Sequence, residues 1–285
     1  MRTITIPKPA NDSLVAQLGS LYEVFKGVKF GEKLSFDLCQ LNWACPLLVL
    51  PISAYVKETE SKIGMDECEI KGYLDKMNFP KGVNSISAFQ QQVQKHKTFI
   101  PISVLSKEEK VGREKLISLF EEKIDETLGK VSGARSAVLY PISELITNIF
   151  EHSKKDFGYA FGQFYPNKGY LDICIVDCGR GFAKTYKEER ELDFTDEEAI
   201  TEAIRGTSAK KEKERGYGLR TSKDIICKAL NGGGFILISG SGVLISNEQG
   251  DNLGSLTDFY WQGAIIIAFR IPRPAGAIDY LRYVE

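Results

Sequence analysis

Residues 144 to 152, Glu-Leu-Ile-Thr-Asn-Ile-Phe-Glu-His, place four polar side chains on one face of a predicted helix. Successive helical residues turn by about 100°, so Asn148 lies about 40° from Glu144 and Glu151 about 20° to the other side. His152 lies about 80° from Glu144 by the same rule. The neighbouring stripe has the repeat of a helix packed on a core and consists of Val138, Ile142, Leu145 and Ile149. The polar face therefore borders the core, where a ligand would bind, although a solvated helix face is the alternative.

A predicted strand that ends in two glycines follows this helix. Residues 171–176 alternate with the two-residue period of a half-buried strand, and the run stops at Asp177-Cys-Gly179-Arg-Gly181. Glycine permits a tight turn there and lets a ligand approach the backbone with no Cβ in the way. We therefore expect a ligand contact at the end of this strand.

A second glycine pair, Gly216-Tyr217-Gly218-Leu219, opens a further predicted helix. Small residues at the start of a helix expose unpaired backbone N–H groups, which suit phosphate. Gly-x-Gly by itself is a weak signal, since residues 232–234 and 240–242 match it as well without a predicted role. The order of the motifs along the chain is the stronger signal.

That order is an E-x-x-x-N-x-x-x-H helix, a strand ending in D-x-G-x-G, a charged stretch, and G-x-G-L at the start of a helix. It resembles the nucleotide-binding domain shared by gyrase, Hsp90, MutL and histidine kinases, the GHKL superfamily. The resemblance covers residues from about 100 to 273, and residues 263–272 look like the final strand of such domains. It implies an α/β sandwich of two layers, with helices on one face of a mixed, largely antiparallel sheet. Ala264 departs from the threonine that the family often has, which puts one polar contact in doubt.

The resemblance implies ATP and Mg²⁺ as ligands. Asn148 would be the metal ligand, because an amide oxygen suits a hard cation that also holds waters and phosphate. Asp177 would read adenine by accepting a hydrogen bond from its exocyclic amine, unless it only caps a turn. Glu144 would be the catalytic general base toward water or a protein hydroxyl. The alternative for Glu144 is a salt bridge, for example with Arg135.

The other residues of these motifs are candidate nucleotide contacts by the same resemblance. His152 would reach a phosphate or hold the helix end, and a histidine here is more common among the serine kinases that act on anti-sigma-factor antagonists. Glu151 is either a supporting residue or a solvated acid. The glycine motifs add Gly179, Gly181, Gly216, Tyr217, Gly218 and Leu219 to the candidates.

A charged stretch separates the two glycine motifs. Thr195-Asp-Glu-Glu198 reads as a capping box and Gly206 as a stop, which predicts a helix over residues 196–205. Residues 207–215 are too charged to pack, and the family places its mobile ATP lid here. Three basic residues would neutralise phosphate oxygens as the lid closes, or serve only solubility in an exposed loop: Lys210, Lys211 and Arg215.

Residues 1–83 are predicted to form a separate small α/β domain. Residues 34–38 read as a short strand, and Pro46 stands where a helix would begin, followed by the apolar residues Leu47, Leu50, Ala54 and Tyr55. Residues 69–83 read as a strand and then a short helix. The order resembles the STAS domain of anti-sigma-factor antagonists, although an unrelated appendage is the alternative. Phosphorylated STAS proteins carry a serine at the start of that helix, whereas residues 42–46 here have no hydroxyl, which favours an interaction module.

Three further segments complete the predicted organisation. Residues 84–99 are polar and glutamine-rich and are expected to be a linker. Residues 111–129 are expected to form the first helix of the C-terminal domain, with Leu116, Phe120 and Ile124 at helical spacing. Residues 274–285 form a tail whose aromatic residues would dock on this domain or on another chain.

Composition excludes several function classes. The chain has 285 residues, 43% of them hydrophobic, and a formal charge of −1, which gives no electrostatic reason to expect nucleic acid or an acidic membrane. No apolar run approaches the roughly 18 residues of a membrane helix, and the first residues lack a signal-peptide core, so we expect a cytoplasmic protein rather than a membrane-spanning sensor kinase. The six cysteines show no C-x-x-C spacing, which favours reduced, partly buried thiols over zinc.

Two function classes follow from the resemblance. In the first, the protein is an enzyme that hydrolyses ATP or transfers its γ-phosphate to the serine of a protein in a signalling switch. Its partner would act in trans and be STAS-like or another regulator, and a homodimer is possible. In the second, it is a nucleotide-gated interaction module with negligible turnover.

Overall fold

The computed structural model describes residues 1–29, 31–95, 98–108, 114, 117–118, 120–121, 124–125, 128–208 and 217–284. Their strands form two sheets, one of three strands near the amino terminus and one of seven strands in the rest of the chain. The protein is therefore a mixed α/β structure, as the sequence predicts.

The N-terminal unit alternates strands and helices. Its elements are β1 (Arg2–Thr5), α1 (Leu14–Phe25), β2 (Leu34–Asp37), α2 (Pro46–Thr59) and β3 (Lys62–Gly64). The strands pair in parallel in the order β1-β2-β3. The expected strand at 34–38 and the expected start of a helix at Pro46 are confirmed, and the four apolar residues predicted on α2 are buried.

The prediction of a strand followed by a helix over residues 69–83 is half wrong. The structure has only a helix there, α3 (Lys71–Lys76), and the strand lies earlier, at β3. The spacing of Ile70, Tyr73, Leu74 and Met77 explains this result, because it is the i, i+3, i+4, i+7 repeat of a helix.

The large sheet holds the rest of the molecule. Its strands are β4 (Phe99–Ser106), β5 (Phe157–Tyr165), β6 (Tyr170–Asp177), β7 (Gly234–Gly240), β8 (Gly242–Asn247), β9 (Gly250–Ser255) and β10 (Trp261–Pro272). The order is β4-β5-β6-β10-β7-β8-β9, and each pairing between neighbours in this order is antiparallel. The sheet is thus antiparallel rather than mixed, and the final strand predicted at 263–272 is confirmed within β10.

Several helices accompany this sheet on one face. Among the described residues they include α5 (Ala134–His152), α6 (Gly181–Arg190), α7 (Asp196–Arg205) and α8 (Gly218–Asp224), the last of which continues as a π-helix over Ile225–Ala229. Their apolar residues share a core with Leu171, Ile173 and Ile175 of β6. This layer is compatible with the predicted α/β sandwich, although the prediction of helices on one face only does not hold for the whole sheet, because α2 packs on the other face.

The N-terminal unit covers the opposite face of the sheet. Helix α2 packs on β5, β6 and β10, and Cys174 and Val176 of β6 lie in one core with Phe36 and Leu48. The prediction that β6 is half-buried is therefore wrong, because each of its residues is buried. The alternating residues of β6 face two different cores, one on each side of the sheet, instead of a core and solvent.

Residues 84–99 do more than connect two domains. They include α4 (Ile86–Lys95), whose Phe89 is buried and packs on Phe120 with ring centroids 5.4 Å apart. Phe120 and Ile124 are helical and buried as expected, while Leu116 lies outside the described residues.

The C-terminal tail docks on its own domain. Ile278 N donates a hydrogen bond of 2.9 Å to Ser132 O, just before α5, and Tyr280 and Tyr283 pack on the helical core. All six cysteines are free thiols, and Cys39 is the exposed one. Among the described residues, no helix has the length and apolarity needed to cross a membrane.

Candidate functional site

Helix α5 carries the polar face that the sequence predicts. The stripe of Val138, Ile142, Leu145 and Ile149 is buried, as expected. Beside it, Glu144, Asn148 and His152 are partly buried, and Glu151 is exposed. The polar set thus lies at the edge of the core, between packed side chains and solvent.

Glu144 meets the second glycine motif. Helix α8 begins at Gly218, and a Cβ atom built on Gly218 would lie 2.3 Å from Glu144 Oε2. Any side chain at this position would make the carboxylate shift, so the Glu144 carboxylate stands directly against the start of α8. Two motifs that are distant in sequence therefore form one site, and Tyr217 precedes the contact as the residue before the helix.

The surroundings of Glu144 favour its protonated form more than water does. Burial raises the pKa of Glu144, and the negative charge of Glu151 raises it further. Burial also raises the pKa of Tyr140, one helical turn earlier, and the charge of Glu144 raises it further. A hydrogen bond with Thr221 of α8 lowers the pKa of Tyr140 and so opposes both effects. A carboxylate with a raised pKa accepts protons more readily, which is what a general base needs.

The alternative salt bridge between Glu144 and Arg135 is not the pairing that the structure displays. Arg135 contacts two acids of the preceding segment, Glu121 at 2.5 Å and Asp125 at 3.4 Å. It lies in the first turn of α5, whereas Glu144 lies in the third.

Asp177 ends β6, as predicted, and is buried. Its Oδ1 accepts a hydrogen bond of 2.8 Å from Gly179 N, so the turn-capping role is present. The strand alternation places Asp177 on the same side as Leu171, Ile173 and Ile175, which is the side of α5. Its pairing with Gly158 brings it near the end of α5, since a Cβ on Gly158 would lie 3.0 Å from the Ile149 side chain.

The first glycine motif is fitted against the end of α5. A Cβ on Gly179 would lie 2.3 Å from Ser153 O, and Gly181 has a φ of +71° as α6 begins. Both positions therefore need glycine, one for close approach and one for its backbone conformation. The turn after Asp177 therefore packs tightly against the end of α5.

Arg180, which the sequence reading did not single out, fixes this junction. Its Nε donates to His152 O at 2.7 Å, and its two terminal nitrogens contact Glu188 at 2.7 Å and Glu189 at 2.8 Å. The residue is buried although it is charged. The available signal was an arginine between two glycines, followed by adjacent acids on the next helix.

The two ends of the predicted lid lie close together. Helix α7 has the predicted bounds, with the capping box of Thr195 and Glu198 and with Gly206 left-handed at its end. A Cβ on Gly206 would lie 2.4 Å from the Tyr217 ring. On the incoming side, Tyr186 Oη donates to Thr207 O at 2.5 Å, and Arg190 donates to Ser208 O at 2.8 Å. Four of the predicted contacts lie outside the described residues: Lys210, Lys211, Arg215 and Gly216.

Not every predicted contact faces the site. Leu219 is buried in the helical core, where it anchors α8. His152 Nε2 lies 4.0 Å from Glu151 Oε2, and the His152 backbone oxygen holds Arg180, so this residue does hold the helix end. The described residues contain no group of three or more His, Cys, Asp or Glu that suits a metal. Asn148 contributes one amide oxygen, so Mg²⁺ would need phosphate and water oxygens as well.

A cleft of about 580 Å³ runs along the neighbouring face of α5. Ser143, Thr147 and Phe150 line it, and Glu151 is the residue that it shares with the polar face. There is thus space for a further molecule next to the predicted site.

Comparison of the chain with protein-family models, with curated proteins and with solved structures found no match in any of the three.

Proposed function

We propose that this protein binds ATP in the manner of the GHKL superfamily, with Mg²⁺, and uses it either for hydrolysis or for phosphoryl transfer to a protein serine in a signalling switch. The observation that carries this proposal is the contact between Glu144 and Gly218. It joins an acid of α5 to a helix start whose backbone N–H groups suit phosphate. The charged segment expected to act as a lid leads directly into the same helix start.

Glu144 is the proposed general base. It takes the proton from water or from a serine hydroxyl as that oxygen attacks the γ-phosphorus, while the bond from phosphorus to the ADP oxygen breaks. Its raised pKa supports this role, since the carboxylate is held where it accepts a proton readily. Mg²⁺ supplies charge neutralisation of the phosphates when bound, and Asn148 is the residue that would hold it.

Asp177 is the proposed reader of adenine. Its buried position at the end of β6 gives a carboxylate fixed in place by Gly179 N. A fixed acceptor selects the exocyclic amine of adenine over the carbonyl of guanine.

The phosphoacceptor, in this proposal, belongs to another protein. The start of α2 carries Cys45 and Pro46, both buried, and no hydroxyl group. It therefore offers neither the chemistry nor the access that a phosphorylated STAS helix needs. The N-terminal unit serves as a docked cover of the sheet, so a STAS-like or other regulatory partner would act in trans.

The second candidate is a nucleotide-gated interaction module. The observation in its favour is that the N-terminal unit lies beside the Asp177 turn, since Glu58 of α2 pairs with Lys155 at 2.6 Å and both line one cleft with Cys178. A nucleotide held by Asp177 would then act on a neighbouring unit through contacts alone.

Release of phosphate from ATP in Mg²⁺ tests whether the protein hydrolyses ATP with Glu144 as the base. The wild type is compared with Glu144→Gln, which removes the base, and with Glu67→Gln, an exposed acid of the N-terminal unit, as the matched control. The enzyme reading predicts that Glu144→Gln slows turnover by at least about 100-fold while ATP still binds. Equal rates in the wild type and Glu144→Gln would rule out hydrolysis that depends on Glu144, which leaves transfer to a serine of the partner and the binding module.

A further inference from the structure

A second cleft, of about 440 Å³, lies between the N-terminal unit and the turn after Asp177. The end of α2, the loop before β2 and the segment after α5 surround it. Cys178 lines it and belongs to the core on the side of the N-terminal unit, whereas Asp177 belongs to the side of α5. This cleft is therefore distinct from the proposed nucleotide site and lies across the sheet from it.

The lining of this cleft has an excess of positive charge. It contains Lys33, Lys57 and Lys155 against Glu58 and Glu60. Two of the lysines are paired, Lys33 with Glu60 and Lys155 with Glu58, each at 2.6 Å. Lys57 has no carboxylate within ion-pair distance among the described residues, so one ammonium group of the cleft has no counter-ion.

Other groups of the protein compensate the positive charge of Lys57 only weakly. Its nitrogen lies 5.6 Å from the centre of the Phe157 ring and 5.8 Å from that of Tyr159, near the distance of about 6 Å beyond which such contacts are negligible. The residue as a whole is exposed, yet burial lowers the pKa of Lys57, and the nearby charge of Glu58 offsets only part of this effect. A bound anion would supply the negative charge that the described residues do not place beside Lys57.

We propose that this cleft binds a small oxyanion, a phosphate or a carboxylate group, at Lys57. Lys155 and Lys33 flank the position, and each can share its charge with a ligand because neither is buried. An ammonium group donates three hydrogen bonds, and bonds between such a donor and a charged oxygen are the strong ones. Phe157 is an exposed aromatic residue next to the Lys57 ammonium and does not itself line the cleft.

Amine acetylation of the wild-type protein tests the site directly. The full chain is treated with acetic anhydride at neutral pH, at constant ionic strength, with no nucleotide, and modified lysines are quantified by peptide mass spectrometry. Inorganic phosphate and succinate are the two probes, so the phosphate and carboxylate sources are compared. We expect at least one of them to slow acetylation of Lys57 at least fivefold and to leave Lys76, an exposed lysine of α3, unchanged.

A titration calorimeter gives the second readout. The probe that protects Lys57 is titrated into the wild type, Lys57→Gln and the control Lys76→Gln, which loses the same charge. Binding should weaken at least tenfold in Lys57→Gln only. Equal protection of Lys57 and Lys76, or unchanged affinity in Lys57→Gln, would overturn the proposal. Because no ATP is present, this result does not depend on whether the nucleotide site exists. Phosphate that bound at the nucleotide site instead would still bind in Lys57→Gln.

Discussion

At the scale of single residues, the contact between Glu144 and Gly218 requires a position without a side chain. Gly218→Ala would put a methyl group 2.3 Å from Glu144 Oε2, so the carboxylate must turn away. We expect a loss of turnover of at least tenfold with little change in stability, because Glu144 is a flexible, partly exposed side chain whose carboxylate can turn away. Gly276→Ala, where nothing lies within 4 Å, is the matched control. Full activity in Gly218→Ala would show that Glu144 has no role at this helix start.

The raised pKa of Glu144 predicts a specific pH dependence. A general base works only when ionised, so the rate falls as the pH drops through its pKa in the folded protein. Because burial and Glu151 raise that pKa, the midpoint should lie above about 4.3, the value of an unperturbed glutamate. Removing the neighbouring charge in Glu151→Gln should move the midpoint to lower pH, as measured by a profile of rate against pH. An unchanged midpoint would mean that Glu144 does not set the acid limb.

Single residues also show where the sequence reading stopped. The glycines at 240–242, which had no predicted role, form the turn between β7 and β8, and a Cβ on Gly240 would lie 2.2 Å from Asp196. Ser241 N donates to Asp196 Oδ2 at 2.8 Å, so this turn is tied to the start of α7. Ser241 and Asp196 are far apart in sequence, and no local pattern predicts such a contact.

At the scale of elements, Arg180 links the end of α5 to the start of α6. Replacing it in Arg180→Gln loses the bonds to His152 O and to two acids. We expect a loss of about 2–3 kcal/mol in the free energy of unfolding, less than for a fully buried pair because Glu188 and Glu189 reach solvent. The measurement is unfolding by urea.

Arg205→Gln is the control for this experiment. Arg205 pairs with Glu202 at 2.9 Å on the surface, so its replacement should cost less than about 0.5 kcal/mol. Similar losses for the two variants would show that the junction does not depend on Arg180.

Elements whose signals are local were predicted well. Helix α7 has the predicted bounds because the capping box and Gly206 are both written in its own sequence. The covered face of β6 was missed because the covering residues belong to α2, more distant in the chain. Helix α4 was missed because a glutamine-rich segment looks like a linker until Phe89 is seen to be buried.

At the scale of the whole molecule, a buried polar cluster joins the N-terminal unit to the sheet. Arg270 of β10 contacts both carboxylate oxygens of Asp172 at 2.7 Å and the Asp12 backbone oxygen at 2.6 Å. Gln17 of α1 donates to Asp172 Oδ2 at 3.3 Å. Burial raises the pKa of Asp172, and Arg270 opposes this effect. The two units therefore share apolar contacts and the hydrogen bonds that Asp12 and Gln17 make with the Arg270–Asp172 pair of the sheet.

Such an interface predicts that the two units unfold together. Trp43 lies in the N-terminal unit and Trp261 in β10, so Trp261→Phe and Trp43→Phe each leave one reporter. Circular dichroism gives the change in stability that each substitution causes. After correction for this change, the urea transitions that the remaining tryptophan reports in the two variants should coincide. Two separate transitions in the wild type, one for each unit, would contradict a shared fold.

Calorimetric titration of ATP with Mg²⁺ tests the proposed nucleotide site most directly. The wild type is compared with Asp177→Asn, in which an amide oxygen can still accept from Gly179 N, so the turn retains its cap. GTP is the control ligand. We expect the wild type to bind ATP but not GTP, and Asp177→Asn to lose at least tenfold in ATP affinity. Absence of ATP binding, or equal affinity for ATP and GTP, would contradict this expectation.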